Sequence, residues 1–358
     1  MNSSRASAPY LLHIGISLAA YRIFTNLPLS FTRFFGTGAP LFSLISGLLF
    51  FAILFFLTKR LLRTDSESIF YSSQKTFGSF GKYLIFILFF IYIFVSSAFL
   101  VSEFSGFSKL VAFPLSPKWF IAIFFVLSAS IASLSTLQSL GKLFVLFIPL
   151  SFLIIAFFLI TVFFESRTEN LFPLLGTAEK FNLPSFLSTF LVFSDMLLIF
   201  ILKPQNTKAV SKTILRSFIL GFGLVFLLVI TYTAKIPYPL SKDETFPLYL
   251  LVKEVYYGRF FQRIDAIVLL VSSIWGMLNL GLNFCLLVSL SQEMFGIKNR
   301  FAMVFPISAS VFFAALFLSQ ALSHLSQFFL ALSAGLLLLG LLILAIFLKK
   351  GGKPHNEN

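Results

Sequence analysis

The chain has 358 residues, of which 58% are hydrophobic and 11% charged, with a formal net charge of +14. A soluble domain carries about 25% charged residues, so this composition belongs to an integral membrane protein. A single cysteine and three scattered histidines exclude a disulfide framework and a Cys or His metal centre, and the basic residues fall between apolar runs rather than on one amphipathic face, which excludes a nucleic-acid-binding surface.

A hydrocarbon core of about 30 Å needs about 20 apolar residues of helix to cross it. Ten runs of that order are found in the sequence. The first, 10–29, follows MNSSRASAPY with no small-residue cleavage site behind a short apolar core, so it is expected to stay as a span rather than leave as a signal peptide. Spans at 37–58 and 83–102 follow. The fourth, 119–137, contains ASIASLS at 129–135, whose small residues recur at i and i+4 and let helix backbones approach closely. The fifth is placed at 143–164, the sixth at 186–202 and the seventh at 217–234. In the long connection 235–265, Leu248, Leu251, Val252, Val255 and Tyr256 repeat at helical spacing, with Lys253 and Glu254 turned away, so a short helix is expected on the outer surface. The last three spans are 266–291, 302–322 and 326–348, with a tight hairpin expected at the polar SHLSQ of 323–327.

Alternating sides assign the loops. With the N-terminus inside, the inner segments hold sixteen Lys and Arg and the outer ones ten, half of these in the long outer loop. Cytoplasmic loops should carry the excess, so both termini are expected in the cytoplasm. The expected organisation is a tail at 1–9, a single transmembrane domain at 10–348 and a polar cytoplasmic tail at 349–358.

Two spans carry a charge inside them: the first has Arg22, and FLSTFLVFSDMLLIFIL at 186–202 has Asp195. They stand five spans apart. Interrupted helices at positions one and six fit two five-helix repeats of inverted topology, here about 10–164 and 186–348, whose broken members meet near the midplane. A charge at bilayer depth costs about 2.5–3.5 kcal/mol on insertion scales, so it faces a polar cavity or a partner. Asp195 and Arg22 are accordingly expected to line one cavity. Backbone groups freed around Gly15 to Ser17 and Phe193 to Ser194 would meet a small zwitterion, helix N-termini favouring its carboxylate and Asp195 or open carbonyls its ammonium. Two other readings stand beside this one: a structural ion pair, or an Arg22 that snorkels outward along Tyr21 and Asn26.

Trp275, Asn279 and Asn283 form one stripe of span eight at i, i+4 and i+8, which should face the bundle either as interhelical glue or as ligand contact. Tyr92 and Ser96 lie within span three, where they could reach the same cavity, and Glu103 ends that span as an exposed charge or a functional one. The expected ligand-binding set is Gly15, Ser17, Tyr21, Arg22, Tyr92, Ser96, Ser194, Asp195 and Asn279. GSFGK at 78–82 lacks the upstream Gly and the following Ser or Thr of a phosphate loop, and H-E-x-x-H and G-x-S-x-G are absent. No enzyme activity, cofactor or metal is expected.

Taken together, IGISLAAYRIFTNLP, FGSFGKYLIFILFFIYIFVSSAFLVSEF, ENLFPLLGTAEK, FSDMLLIFILKP and FPLYLLVKEVYYGRFFQRIDAIVLLVSSIWGM resemble, in order and spacing, the endospore germination permease family, the multispan B subunits of nutrient germinant receptors within the amino acid, polyamine and organocation transporter superfamily. The resemblance implies an all-α, ten-helix, five-plus-five inverted-repeat fold of the LeuT-like kind. It also implies a small nutrient such as an amino acid as ligand, A and C subunits as partners, and residence in the inner membrane of a spore. Family ligand regions would fall on Gly15 to Arg22 and on Ser194 to Asp195. Departures are Asp195, where many relatives have Glu, and the absence of a Trp in FFGTGAPLFSLISG and of a Gln in LLHIG. Three functions follow: a ligand-sensing subunit, a secondary amino acid transporter coupled to H+ or Na+, or a structural subunit with a vestigial cavity.

Overall fold

The computed structural model describes residues 8–26, 28–62, 68–177, 183–202, 207–238, 240, 246–254, 264–297, 299–320 and 323–348. Among them there is no strand. The helices are α1 (Ala8–Ala20), α2 (Leu29–Phe35), α3 (Ala39–Leu61), α4 (Ile69–Val111), α5 (Lys118–Leu134), α6 (Leu137–Phe164), α7 (Leu183–Phe190), α8 (Thr207–Lys235), α9 (Pro247–Glu254), α10 (Ile264–Phe295), α11 (Arg300–Gln320) and α12 (Ser323–Phe347). Two 3₁₀ segments matter below, Tyr21–Phe24 after α1 and Leu191–Phe200 after α7.

Seven helical stretches among the described residues are long and apolar enough to cross a membrane, with α5 a shorter apolar helix beside them. Their outward faces are apolar: Leu146, Leu150, Leu153 and Phe157 stand exposed in one row on α6 at i, i+4, i+7 and i+11. Exposed apolar rows on nearly every long helix are unfavourable in water and favourable against acyl chains. Serines and threonines are buried, among them Ser43, Ser46, Ser97 and Thr233, whose hydroxyls donate to carbonyls of the preceding helical turn.

Local chemistry sets the helix ends. Ser68 Oγ accepts from the N–H of Tyr71 at the start of α4, and Thr136 Oγ1 from that of Ser139 at the start of α6, each satisfying an orphan donor of a first turn. At 43 residues α4 is about 65 Å long, twice the hydrocarbon core. It does not run straight: Gly78 sits at φ 71°, ψ −166°, a conformation open essentially to glycine, and turns the first part of α4 away from the rest.

The helices pack in two groups. In one, α8 lies on α1 and α3, α7 on α3, and the Leu191–Phe200 segment on α1. In the other, α4, α5, α10 and α11 lie on one another. The ASIASLS stretch does sit at a close crossing: a Cβ on Gly281 of α10 would meet the Ala132 side chain, and Ser130 shares a hydrogen bond with Ser308 of α11 at 2.7 Å. α9 matches the short helix expected in the long loop, with Leu248, Leu251 and Val252 buried and Lys253 exposed. Val255 and Tyr256 lie outside the described residues.

One expectation is overturned. SHLSQ is not a hairpin, since α12 already begins at Ser323. The first turn of a helix has four N–H groups without intrahelical acceptors, so polar residues are at home there.

Candidate functional site

The first span is interrupted later than expected. Gly15 to Ser17 lie in the regular winding of α1. Gly15 has no Cβ because Ser217 of α8 occupies that space, so the glycine serves helix contact and stands outside the charged cluster. The winding tightens at Tyr21–Phe24 and ends at Thr25, whose backbone is extended at φ −106°, ψ 177°. Pro28 accounts for the stop: it has no N–H for the preceding turn, its ring disfavours helix before it, and it suits the entry of α2. Thr25 closes the end with its N–H and its hydroxyl on the Arg22 carbonyl, at 3.0 and 2.7 Å.

In the sixth span the break is a tightening rather than an opening. Phe193 and Ser194 belong to the ten-residue 3₁₀ segment Leu191–Phe200, well beyond the three or four residues at which such runs usually stop.

The two altered segments meet through their charges. Arg22 Nε donates to Asp195 Oδ2 at 2.6 Å, and Arg22 Nη2 to Ser96 Oγ at 3.0 Å. The other carboxylate oxygen, Oδ1, accepts from the Tyr92 hydroxyl at 2.7 Å and from Ser96 at 3.1 Å. Ser194 and Tyr92 share a hydrogen bond at 2.9 Å; with the Tyr92 proton committed to Asp195, Ser194 is its donor. The guanidinium carbon lies 5.0 Å from the Tyr21 ring and 5.5 Å from the Phe99 ring, within cation–π range. Arg22 is 1% exposed and Asp195 0%. Tyr21, Arg22, Tyr92, Ser96, Ser194 and Asp195 thus form one cluster, and in this conformation its charges face each other rather than an open cavity. Arg22 does not snorkel.

Such a pair is stable only when the remaining lone pairs and protons of both ions are also satisfied, because desolvation of each ion costs several kcal/mol. Here the supporting hydroxyls come from α4, so three elements must be in register for the charges to be tolerated. Two groups remain without a hydrogen-bond partner, Arg22 Nη1 and the Tyr21 hydroxyl.

Ser17 and Asn279 are joined on the neighbouring face of α1. Ser17 Oγ accepts from Trp275 Nε1 at 2.6 Å and from Asn279 Nδ2 at 2.8 Å, and Trp275 packs edge-on against Phe24 at 5.4 Å. These bonds tie α1 to α10. Asn283 is buried on the same stripe with its Oδ1 unpartnered.

Sequence reasoning missed the clasp at the break. Glu103 of α4 accepts from the Asn26 backbone N–H at 3.1 Å and from Asn26 Nδ2 at 3.2 Å, while Gln327 of α12 donates to Asn26 Oδ1 at 3.2 Å. Past the end of the winding the Asn26 N–H no longer meets the carbonyl four residues back, and Glu103 supplies an acceptor in its place. The TNLP stretch was the available signal: Asn and Pro together mark a turn. Among the described residues no group of three or more His, Cys, Asp and Glu could hold a metal ion.

A sequence model of spore germination proteins matches residues 41–348. No curated protein sequence matches the chain. Among solved structures the chain is similar to Mhp1, described as a nucleobase-cation-symport-1 family transporter. In the closed conformation with bromovinylhydantoin bound, the TM-score is 0.64 at 12% identity, covering 93% of this chain and 76% of that one. In the inward-facing conformation the TM-score is 0.59, again at 12% identity, with 94% and 76% covered. The likeness is one of fold.

Proposed function

The chain belongs to the spore germination protein family, and we propose that it is the multispan ligand-sensing subunit of a nutrient germinant receptor. The observation that carries this reading is the buried Arg22–Asp195 pair, which joins the two interrupted segments at 2.6 Å. A small nutrient such as an amino acid enters beside that pair, changes the balance between conformations in which the segments are clasped and separated, and passes the change to partner subunits. No chemical step is needed, and the chain is read as a non-enzyme without a cofactor.

The architecture in this reading is a ten-helix domain over 10–348 built as two inverted five-helix repeats. Seven apolar spans, the shorter α5 and two interrupted segments supply ten crossings. The packing supports the repeat: α1, α3, α4 and α5 of the first half have the broken sixth segment, α8, α10 and α11 as their counterparts, and each group described above draws its members from both halves. The N- and C-terminal tails lie in the cytoplasm, the membrane is the inner membrane of the spore, and the partners are the A and C subunits of the receptor. Accessibility labelling of cysteines introduced in either tail checks the orientation.

The fold likeness to a cation symporter favours a second reading, a secondary amino acid transporter coupled to H+ or Na+. Vesicles containing the purified chain separate the two. Saturable binding of a labelled amino acid without accumulation under an imposed gradient supports the sensor, and accumulation supports the transporter. If amino acids neither bind nor accumulate, both fall and a structural subunit remains. Co-purification from spore membranes with a large soluble-headed subunit and a small lipoprotein tests the receptor assembly.

A further inference from the structure

Asp195 offers little to an ammonium. Each of its oxygens already accepts from a donor, and Arg22 cancels its charge. The unused capacity around it is of the opposite kind. Arg22 spends one edge of its guanidinium, Nε and Nη2, on Asp195 and Ser96, while Nη1 has no partner; the Tyr21 hydroxyl has none either. Both side chains are 1% exposed. The guanidinium carbon stands 5.0 Å from the Tyr21 ring, and the Tyr21 hydroxyl lies near Ser96 and Asp195 without making a hydrogen bond to either. Two buried donors, one on a permanent cation, share one neighbourhood, and neither makes a hydrogen bond there. Burial of such groups is costly, and buried polar groups in native proteins are nearly always satisfied.

We propose that Arg22 Nη1 and the Tyr21 hydroxyl form the subsite for the carboxylate of a small organic acid, so that the ligand class is defined by its carboxylate and not by an ammonium held on Asp195. The inference rests on the reading of this cluster as a ligand site. A carboxylate has two acceptor oxygens and suits a planar guanidinium donor beside a hydroxyl donor. Its arrival places a second anion on the one guanidinium, competing with Asp195 and loosening the bond between the interrupted segments. Occupancy is thereby coupled to the relative position of the first and sixth spans.

The test uses the full chain in lipid nanodiscs and three sets of probes: the twenty L-amino acids, the corresponding acids without the amino group, and the corresponding primary amides. Thermal shift and equilibrium dialysis are read for each. The expected result is that amino acids which bind are matched by their deamino acids, while their amides bind on the order of tenfold more weakly or not at all, as for loss of a hydrogen bond to a charged group. Tyr21→Phe keeps the ring against Arg22 and loses no hydrogen bond, so it should fold with an unchanged melting temperature and bind the acids on the order of tenfold more weakly. Amides binding as well as acids, or unchanged acid binding in Tyr21→Phe, would overturn the carboxylate subsite while leaving the sensor reading intact. If none of the three sets binds, both are overturned, and the two donors serve a water-bridged structural pair only.

Discussion

Glu103 holds Asn26 by two groups at once, the backbone N–H at 3.1 Å and the side-chain amide at 3.2 Å. The two residues are 77 positions apart, and the contact falls where the first span stops being a helix. A carboxylate on α4 therefore supplies the acceptor that the Arg22 carbonyl, one turn back, would have provided in a continuous helix.

Replacing Glu103 with Ala should leave the Asn26 N–H and amide without that acceptor, at a cost of about 1–3 kcal/mol. Unfolding of the purified protein in detergent measures the loss. A change within about 0.5 kcal/mol, the range of ordinary surface substitutions, would mean the clasp is not needed.

Removing one member of the Arg22–Asp195 pair strands the other as a buried charge. Arg22→Met and Asp195→Leu should each destabilise by about 3–5 kcal/mol, whereas the double replacement should cost clearly less than their sum. A double-mutant cycle on thermal unfolding reads the coupling, and simple additivity would contradict a closed pair.

Gly221 and Gly223 sit two residues apart on α8 but in different surroundings. A Cβ on Gly221 would press on the Ala19 side chain and the Ile16 carbonyl of α1, while one on Gly223 meets nothing within 4 Å. Gly221→Ala is expected to destabilise by about 1–3 kcal/mol through overpacking, and Gly223→Ala to stabilise by about 0.5–1 kcal/mol through helix propensity. Equal effects in melting experiments would argue against the close α1–α8 crossing.

Ser17→Ala removes the acceptor shared by Trp275 Nε1 and Asn279 Nδ2. Asn279 keeps a bond to the Trp275 carbonyl at 2.9 Å, so the orphan is the indole N–H, and a loss of about 1–3 kcal/mol is expected. Trp275 fluorescence should move with it, and an unmoved emission spectrum together with unchanged stability would remove the α1–α10 tie.

Membrane residence, most of the spans and the existence of two special ones were legible in the sequence, because an apolar run and a charge that interrupts it are local properties of the chain. Arg22 and Asp195 announced a deficit that some neighbour had to meet. The small residues of ASIASLS likewise announced a close crossing, though not with which helix. The break was only partly legible: Arg22 does mark it, but the backbone expected to be free around Gly15 to Ser17 lies in regular helix, with Gly15 a contact for Ser217, and the winding ends at Thr25.

What tertiary structure alone decided is which groups answer each deficit. Arg22 and Asp195 are 173 positions apart, and their meeting depends on how far each helix is rotated and how deep it sits, quantities set jointly by all the helices packed around them. The same holds for the choice of Ser96 and Tyr92 as supporting hydroxyls, for Glu103 at the Asn26 N–H, and for the two donors left over on Arg22 and Tyr21. A sequence states the free-energy cost of a polar group in hydrocarbon; only the packed bundle, by fixing distances to a few tenths of an ångström, determines where that cost is met.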